Sequence, residues 1–173
     1  LDMAIYPARQ LPDSTLIARK LFDWEMQIVA SPSYLKSAGK RLSPEDLVHH
    51  SVVFGAAATR TPSRKLRIHM PHSKSPTEIT LPEALLTTST AFAYAAALSN
   101  AGIGVVPDCM VRDDIREGRL VEVFKGASTG LKPGGLYLLF PRLSFTPPAV
   151  KALRDFLTES LTPAGTEARN PPA

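Results

Sequence analysis

Residues 84–107, ALLTTSTAFAYAAALSNAGIGVVP, decide the fold. The first five of them read as a strand. Residues 90–100 follow as the clearest helix in the chain. They are rich in alanine and leucine, with Ser89 or Thr90 as the N-cap and Ala101-Gly102 as the stop. Residues 103–106 are a strand again, and Pro107 opens a further helix that runs to Arg116 and closes at Gly118. Strands alternating with helices in this way favour an α/β architecture.

The same alternation extends outward. Downstream, 119–124 and 136–140 read as strands, and Thr146-Pro147-Pro148 starts a last helix. Its apolar residues Val150, Leu153, Phe156, Leu157 and Leu161 recur at helical spacing on one side. Residues 162–173, TPAGTEARNPPA, have the composition of a disordered tail. Upstream, 1–5 and 25–30 read as strands, with a polar turn at 10–14 and a mixed stretch at 16–21. Ser31-Pro32 caps and opens a short helix that stops at Gly39. Ser43-Pro44-Glu45-Asp46 repeats that start signal, with acids in the first turn where the helix dipole favours them. Residues 51–54 form a strand ending at Phe54-Gly55, and 65–70 with 78–81 form an irregular hairpin.

The chain has 173 residues, 44% hydrophobic and 21% charged, enough for one domain or two small lobes. No apolar run approaches the ~18–20 residues of a membrane span. The N-terminal LDMAIYPARQ lacks the charge and apolar pattern of a signal peptide. Leu1 is not an initiator methionine, so the chain reads as a fragment or a trimmed chain. One cysteine, Cys109, permits no intrachain disulfide and suits a reducing cytoplasm. The net charge of +4 is mild. The densest basic stretch, 60–74, contains two prolines and no aromatic side chain, and reads as a solvated hairpin.

Several short pieces, in order and at fixed spacing, resemble the effector-binding domain of LysR-type bacterial transcription regulators. They are Asp2-Met3-Ala4-Ile5, Leu11-Pro12-Asp13-Ser14, Ala30-Ser31-Pro32 with Tyr34-Leu35 and Gly39, and Ser43-Pro44-Glu45-Asp46-Leu47 with His50. They continue with Ala95-Ala96-Ala97, Gly102-Ile103-Gly104 to Pro107, Gly118-Arg119-Leu120-Val121, the stretch from Tyr137 to Pro141, and Phe156-Leu157. The resemblance runs to about Leu161. It implies a two-lobed fold like that of type 2 periplasmic binding proteins, with a ligand cleft between the lobes. Residues 1–30 and 142–161 would be a partial first lobe, and 31–141 a nearly complete second lobe. It also implies a small, anionic effector, homodimers or higher homo-oligomers, and a cytoplasmic location without membrane association. DNA would be reached only through a winged helix-turn-helix, which these 173 residues do not contain. Tyr6 stands where the family often has arginine.

The candidate ligand-binding residues follow from local chemistry and from the resemblance together. Thr87, Thr88, Ser89 and Thr90 put four hydroxyls at a helix N-terminus, where free N–H groups and the dipole suit a carboxylate. Ordinary capping needs only one of the four. Ser31 and Pro32 sit where the resemblance puts a hinge, though a helix cap also explains them. Gly55, after Phe54, allows close backbone approach, but also suits a plain turn. Val106 and Pro107 resemble a cleft-side crossover.

Other chemistries are poorly supplied. Ser33-Tyr34-Leu35-Lys36 matches S-x-x-K but lacks its companion motifs. No G-x-S-x-G, P-loop or dinucleotide loop is present, so neither catalysis nor a cofactor is expected. His69 and His72 are separated by Pro71, which argues against a shared helical face and hence a metal site. Cys109 near a helix start would have a lowered pKa, or else be a small buried side chain. The rival readings are a solute-binding protein of a transporter and a non-functional regulator fragment.

Overall fold

A computed structural model describes residues 2–8, 10–39, 42–55, 65–81, 85–131, 133–142 and 147–161. The tail expected at 162–173 lies outside them, as do residues 60–64 of the basic stretch at 60–74. In chain order the elements are β1 (Ala4–Ala8), β2 (Ile17–Trp24), β3 (Met26–Ala30), α1 (Pro32–Ser37) and a 3₁₀ segment (Pro44–His49). They continue with β4 (Val52–Gly55), β5 (Lys65–Ile68), β6 (Thr77–Thr80), β7 (Leu85–Thr87), α2 (Thr90–Leu98) and β8 (Ile103–Pro107). The last are α3 (Asp108–Arg116), β9 (Val121–Glu122), β10 (Gly134–Phe140) and α4 (Pro148–Leu161).

The chain divides into two compact units, Leu1–Trp24 with Pro133–Ala173, and Glu25–Lys132. Strand pairing accounts for this division. β3 pairs with β8 and β9, which commits its residues to the second unit. β10 lies between β1 and β2, which commits it to the first.

The first unit is an antiparallel sheet of order β1-β10-β2, with α4. Leu21, Trp24 and Leu138 are buried in it. A register shift between Leu136 and Tyr137 takes the partner from Phe22 to Lys20 and skips Leu21. That irregularity breaks the period-two pattern, which is why 16–21 reads as mixed in the sequence although 17–24 is one strand.

The second unit is built on a five-stranded sheet of order β7-β4-β8-β3-β9. β4 runs parallel to both β7 and β8, while β3 is antiparallel to β8 and β9. The central strands carry apolar residues on both faces, and Val52, Val53, Phe54, Ile103, Val105 and Val106 are all buried, as expected of parallel strands covered on both sides. α2 lies over β8 and β4 through Ala93, Ala96 and Ala97. Gly104 makes this approach possible. A Cβ there would stand 3.0 Å from the Ala93 carbonyl oxygen and 3.1 Å from the Ala97 methyl. The β5–β6 hairpin buries Leu66, Ile68 and Ile79.

Candidate functional site

Three parallel strands of the second unit end side by side. Gly55 of β4 is level with Thr87 of β7, and Phe54 is level with Val105 of β8, one residue before Val106. The carboxyl ends of adjacent parallel strands are where open α/β sheets characteristically bind ligands. The structure thus brings Phe54, Gly55, Thr87, Val106 and Pro107 to one edge, with Thr88, Ser89 and Thr90 leading from it into α2.

Ser31 and Pro32 go to the other edge. β3 runs against β8 with Met26 opposite Pro107 and Val29 opposite Gly104, so the chain leaves β3 where β8 begins. Ser31 is 4% exposed and fully employed there. Its hydroxyl accepts from the Tyr34 N–H at 3.1 Å, capping α1, and donates to Asn100 Oδ1 at 2.5 Å. Asn100 has φ 62°, a left-handed conformation that asparagine tolerates better than most residues. Phe54 and Val106 point into the core, at 4% and 0% exposure. Their contribution at the edge is backbone.

The hydroxyl turn divides its labour. Ser89 Oγ accepts from the Phe92 N–H at 3.2 Å, and Thr87 Oγ1 accepts from the Ser89 N–H at 3.0 Å. Those two hydroxyls hold the turn in shape. Among the described residues, the Thr88 and Thr90 hydroxyls have no partner. Thr88 is exposed and Thr90 half-buried. A structural hydroxyl pair therefore sits beside an unused pair at the positive end of a helix dipole.

Two carboxylates of this unit escape the sequence reading. Asp108 receives the Glu25 N–H at 3.0 Å on Oδ1, while its own N–H donates to the Glu25 carbonyl at 2.8 Å. It thereby fixes the first residue of the unit to the start of α3. Asp114, 3% exposed, takes the Tyr94 hydroxyl at 2.7 Å and Arg119 Nε at 2.5 Å. These bonds hold its carboxyl below the usual carboxylate range and raise the Tyr94 phenol. The available signal was an acid three residues after Val111, on the apolar face of a helix.

Cys109 corrects an expectation. Desolvation and then the Asp108 charge push its thiol up, not down, and the residue is exposed instead of buried. The helix start is outweighed first by desolvation of the thiol and then by the acid immediately beside it. We expect Cys109 to react with iodoacetamide more slowly than free cysteine at pH 8, and Asp108→Asn to speed it. A pH–rate series with mass detection checks both.

Among the described residues, no cluster of three or more His, Cys, Asp or Glu is arranged to hold a metal, and no helix is long and apolar enough to cross a membrane. The architecture is that of a binding domain with the type 2 periplasmic-binding-protein fold. The LysR substrate binding domain family matches residues 1–162, and the chain belongs to that family.

The HTH-type transcriptional regulator PtxR of Pseudomonas aeruginosa is 32% identical over 149 residues, covering 86% of this chain and 46% of that protein. CrgA of Neisseria meningitidis serogroup C is 32% identical over 121 residues, 70% of this chain and 38% of CrgA. The solved regulatory domain of CrgA superposes with a TM-score of 0.73 at 27% identity, covering 93% of this chain and 76% of that one. Full-length AphB of Vibrio cholerae gives 0.71 at 25% identity, covering 92% and 52%. The chain spans less than half the length of the curated relatives it matches. They are transcriptional regulators, a non-enzymatic family, in agreement with the expectation that this chain is no enzyme.

Proposed function

We propose that this chain is the effector-sensing part of a bacterial LysR-type regulator, and that its effector is a small anionic metabolite, bound at the carboxyl edge of the second unit's sheet. The observation that carries the reading is the pair of unused hydroxyls, Thr88 and Thr90, at the N-terminus of α2. Thr87 and Ser89 shape the turn, and Gly55 leaves the neighbouring strand end without a side chain in the way. An oxyanion there meets two hydroxyls and the positive end of a helix at once. The parent protein would act as a cytoplasmic homo-oligomer and reach DNA through a winged helix-turn-helix elsewhere in its sequence. Effector binding would be coupled to DNA occupancy by the usual ~1–3 kcal/mol of allosteric free energy.

A thermal-shift screen of small aliphatic and aromatic carboxylates, on this chain and on the full-length parent, tests the reading. A hit is expected to weaken by about five- to tenfold in Thr88→Ala and in Thr90→Ala, about 1 kcal/mol per lost hydrogen bond, with the melting temperature of the free protein unchanged. Ser89→Ala is expected to lower stability by about 1 kcal/mol through the lost cap. If no carboxylate stabilises either protein, or if binding ignores both threonine variants, the assignment of this edge fails.

A further inference from the structure

β3 and β8 run antiparallel with Met26 opposite Pro107, so the next pair outward is Glu25 with Asp108. A hydrogen-bonded pair in such a ladder exchanges two bonds, each N–H donating to the other residue's carbonyl. Here the Asp108 N–H does donate to the Glu25 carbonyl, at 2.8 Å. The Asp108 carbonyl does not return the bond, because Asp108 is the first residue of α3 and its carbonyl points along the helix. Its carboxylate takes the carbonyl's place, and Oδ1 accepts the Glu25 N–H at 3.0 Å. The other oxygen, Oδ2, is held by Arg112 one turn on, through Nε at 3.2 Å and Nη2 at 2.5 Å. The Asp108 side chain is 18% exposed and is fixed through both of its oxygens.

Glu25 is also where the chain enters the second unit, and Trp24 is where it leaves the first. Trp24 is anchored on its own side. It pairs with Gly134 in the β2–β10 ladder, and its indole occupies the place a Gly134 Cβ would take. The two residues flanking one peptide bond are thus tied down, each within its own unit. Val106, Pro107 and Asp108 are consecutive, and the proline ring holds Pro107 at φ −59°. A displacement of the strand end at Val106–Pro107 therefore reaches Asp108, and through it Glu25, with little slack.

We infer that Asp108 is a positioning residue: its carboxylate clasps Glu25, confines bending at this crossover to the Trp24–Glu25 linkage, and ties that linkage to the effector edge. The tie, unlike the clasp, rests on the edge assignment proposed above. A carboxylate bound at that edge steadies Val106–Pro107 and keeps the Asp108–Glu25 bonds closed, so its presence is felt where the chain changes unit. The place calls for a side-chain acceptor and not for a charge. Asparagine therefore serves there, and alanine does not.

Amide hydrogen exchange of the ¹⁵N-labelled full chain, read by NMR, tests the clasp. The Glu25 amide is expected to exchange at least about tenfold faster in Asp108→Ala than in wild type, as for loss of a hydrogen bond to a charged acceptor. Asp108→Asn is expected to recover most of the protection. The Ile103 amide, bonded to the Ser51 carbonyl in the same unit, is the control and should not change. Equal Glu25 exchange in wild type and Asp108→Ala overturns the clasp. Should Asp108→Ala loosen Ile103 as well, Arg112→Gln decides. It frees Oδ2 and is expected to speed Glu25 alone, and no change there overturns the clasp. Sodium acetate and sodium benzoate test the tie. The salt that shifts the Thr88 and Thr90 amides is expected to slow Glu25 exchange several-fold in wild type and not in Asp108→Ala, with its Kd changed by less than about threefold. A response at Thr88 and Thr90 with none at Glu25 overturns the tie and leaves the edge assignment standing. So does a Glu25 response that survives in Asp108→Ala. No response at Thr88 and Thr90 to either salt overturns the edge assignment and the tie with it, and leaves the clasp to the exchange data.

Discussion

Asp114→Ala is expected to lower the unfolding free energy by about 3 kcal/mol at pH 7, one of the two largest effects of any single substitution considered for this chain. The figure has two parts. The Tyr94 hydroxyl gives a part-buried bond to a charged acceptor, worth ~1.5–3 kcal/mol. The Arg119 ion pair adds little, on the order of 0–1 kcal/mol, because the Arg119 side chain is 54% exposed and solvated. Urea unfolding of the two proteins measures the difference.

The pH dependence gives a sharper test. The Asp114 carboxyl is held low when folded, first by Tyr94 and then by Arg119. Its contribution is therefore present above the unfolded carboxylate pKa of ~3.9, and is lost as pH falls from there through the lower folded value. The Tyr94 phenol is raised, chiefly by the same hydrogen bond. Its contribution is present below the unfolded tyrosine pKa of ~10 and is lost as pH rises through the higher folded value. Wild-type stability should fall at both ends, and Asp114→Ala should flatten both limbs. Tyr94→Phe should flatten the alkaline limb and soften the acid one. Two parallel pH–stability curves would remove Asp114 from this role.

Gly134→Ala is the second large effect, in the first unit. A Cβ on Gly134 would lie within the Trp24 indole, which is 7% exposed and directly opposite in the ladder. The ring has no clear direction in which to withdraw, and we expect a loss of about 3 kcal/mol, at the upper end of ordinary overpacking. Gly135→Ala is the control. Its Cβ would meet the Tyr137 ring at 2.9 Å, but Tyr137 is only half-buried and is free to turn. Gly134→Ala should therefore shift the fluorescence-detected urea midpoint far more than Gly135→Ala. Trp24 is the chain's one tryptophan, so the signal comes from the disturbed pair itself. Equal midpoints for the two variants would mean that the indole moves aside freely.

The sequence was most informative where one physical signal dominated. The alanine-rich helix, its Ser89 cap and the strand after Gly102 were legible because composition, capping and spacing agree there. The order of short pieces led to the family. β2 was obscured because its register shift breaks the alternation at Leu21. The edge assignment of Ser31 was out of reach for a different reason. Local chemistry marks it as a cap wherever it lies, and only the antiparallel register of β3 against β8 puts it opposite the hydroxyl turn's end of the sheet. Asp108 and Asp114 were missed because their distant partners, Glu25 and Tyr94, leave no mark at fixed sequence distance.

The close seating of α2 on Gly104 bears on how such a domain diversifies. The position of the Thr87–Thr90 turn is set by backbone and methyl groups in near contact, with little freedom for the helix to tilt or settle. Under the proposed assignment of the effector to this turn, specificity and scaffold are separable in this unit. Thr88 and Thr90 are open to exchange, by mutation or by design, at little cost to the core beneath them. At Gly104, by contrast, even one added methyl would lift the helix and move the whole turn. Changes of preferred ligand should accumulate at the first two positions and be filtered out at the third.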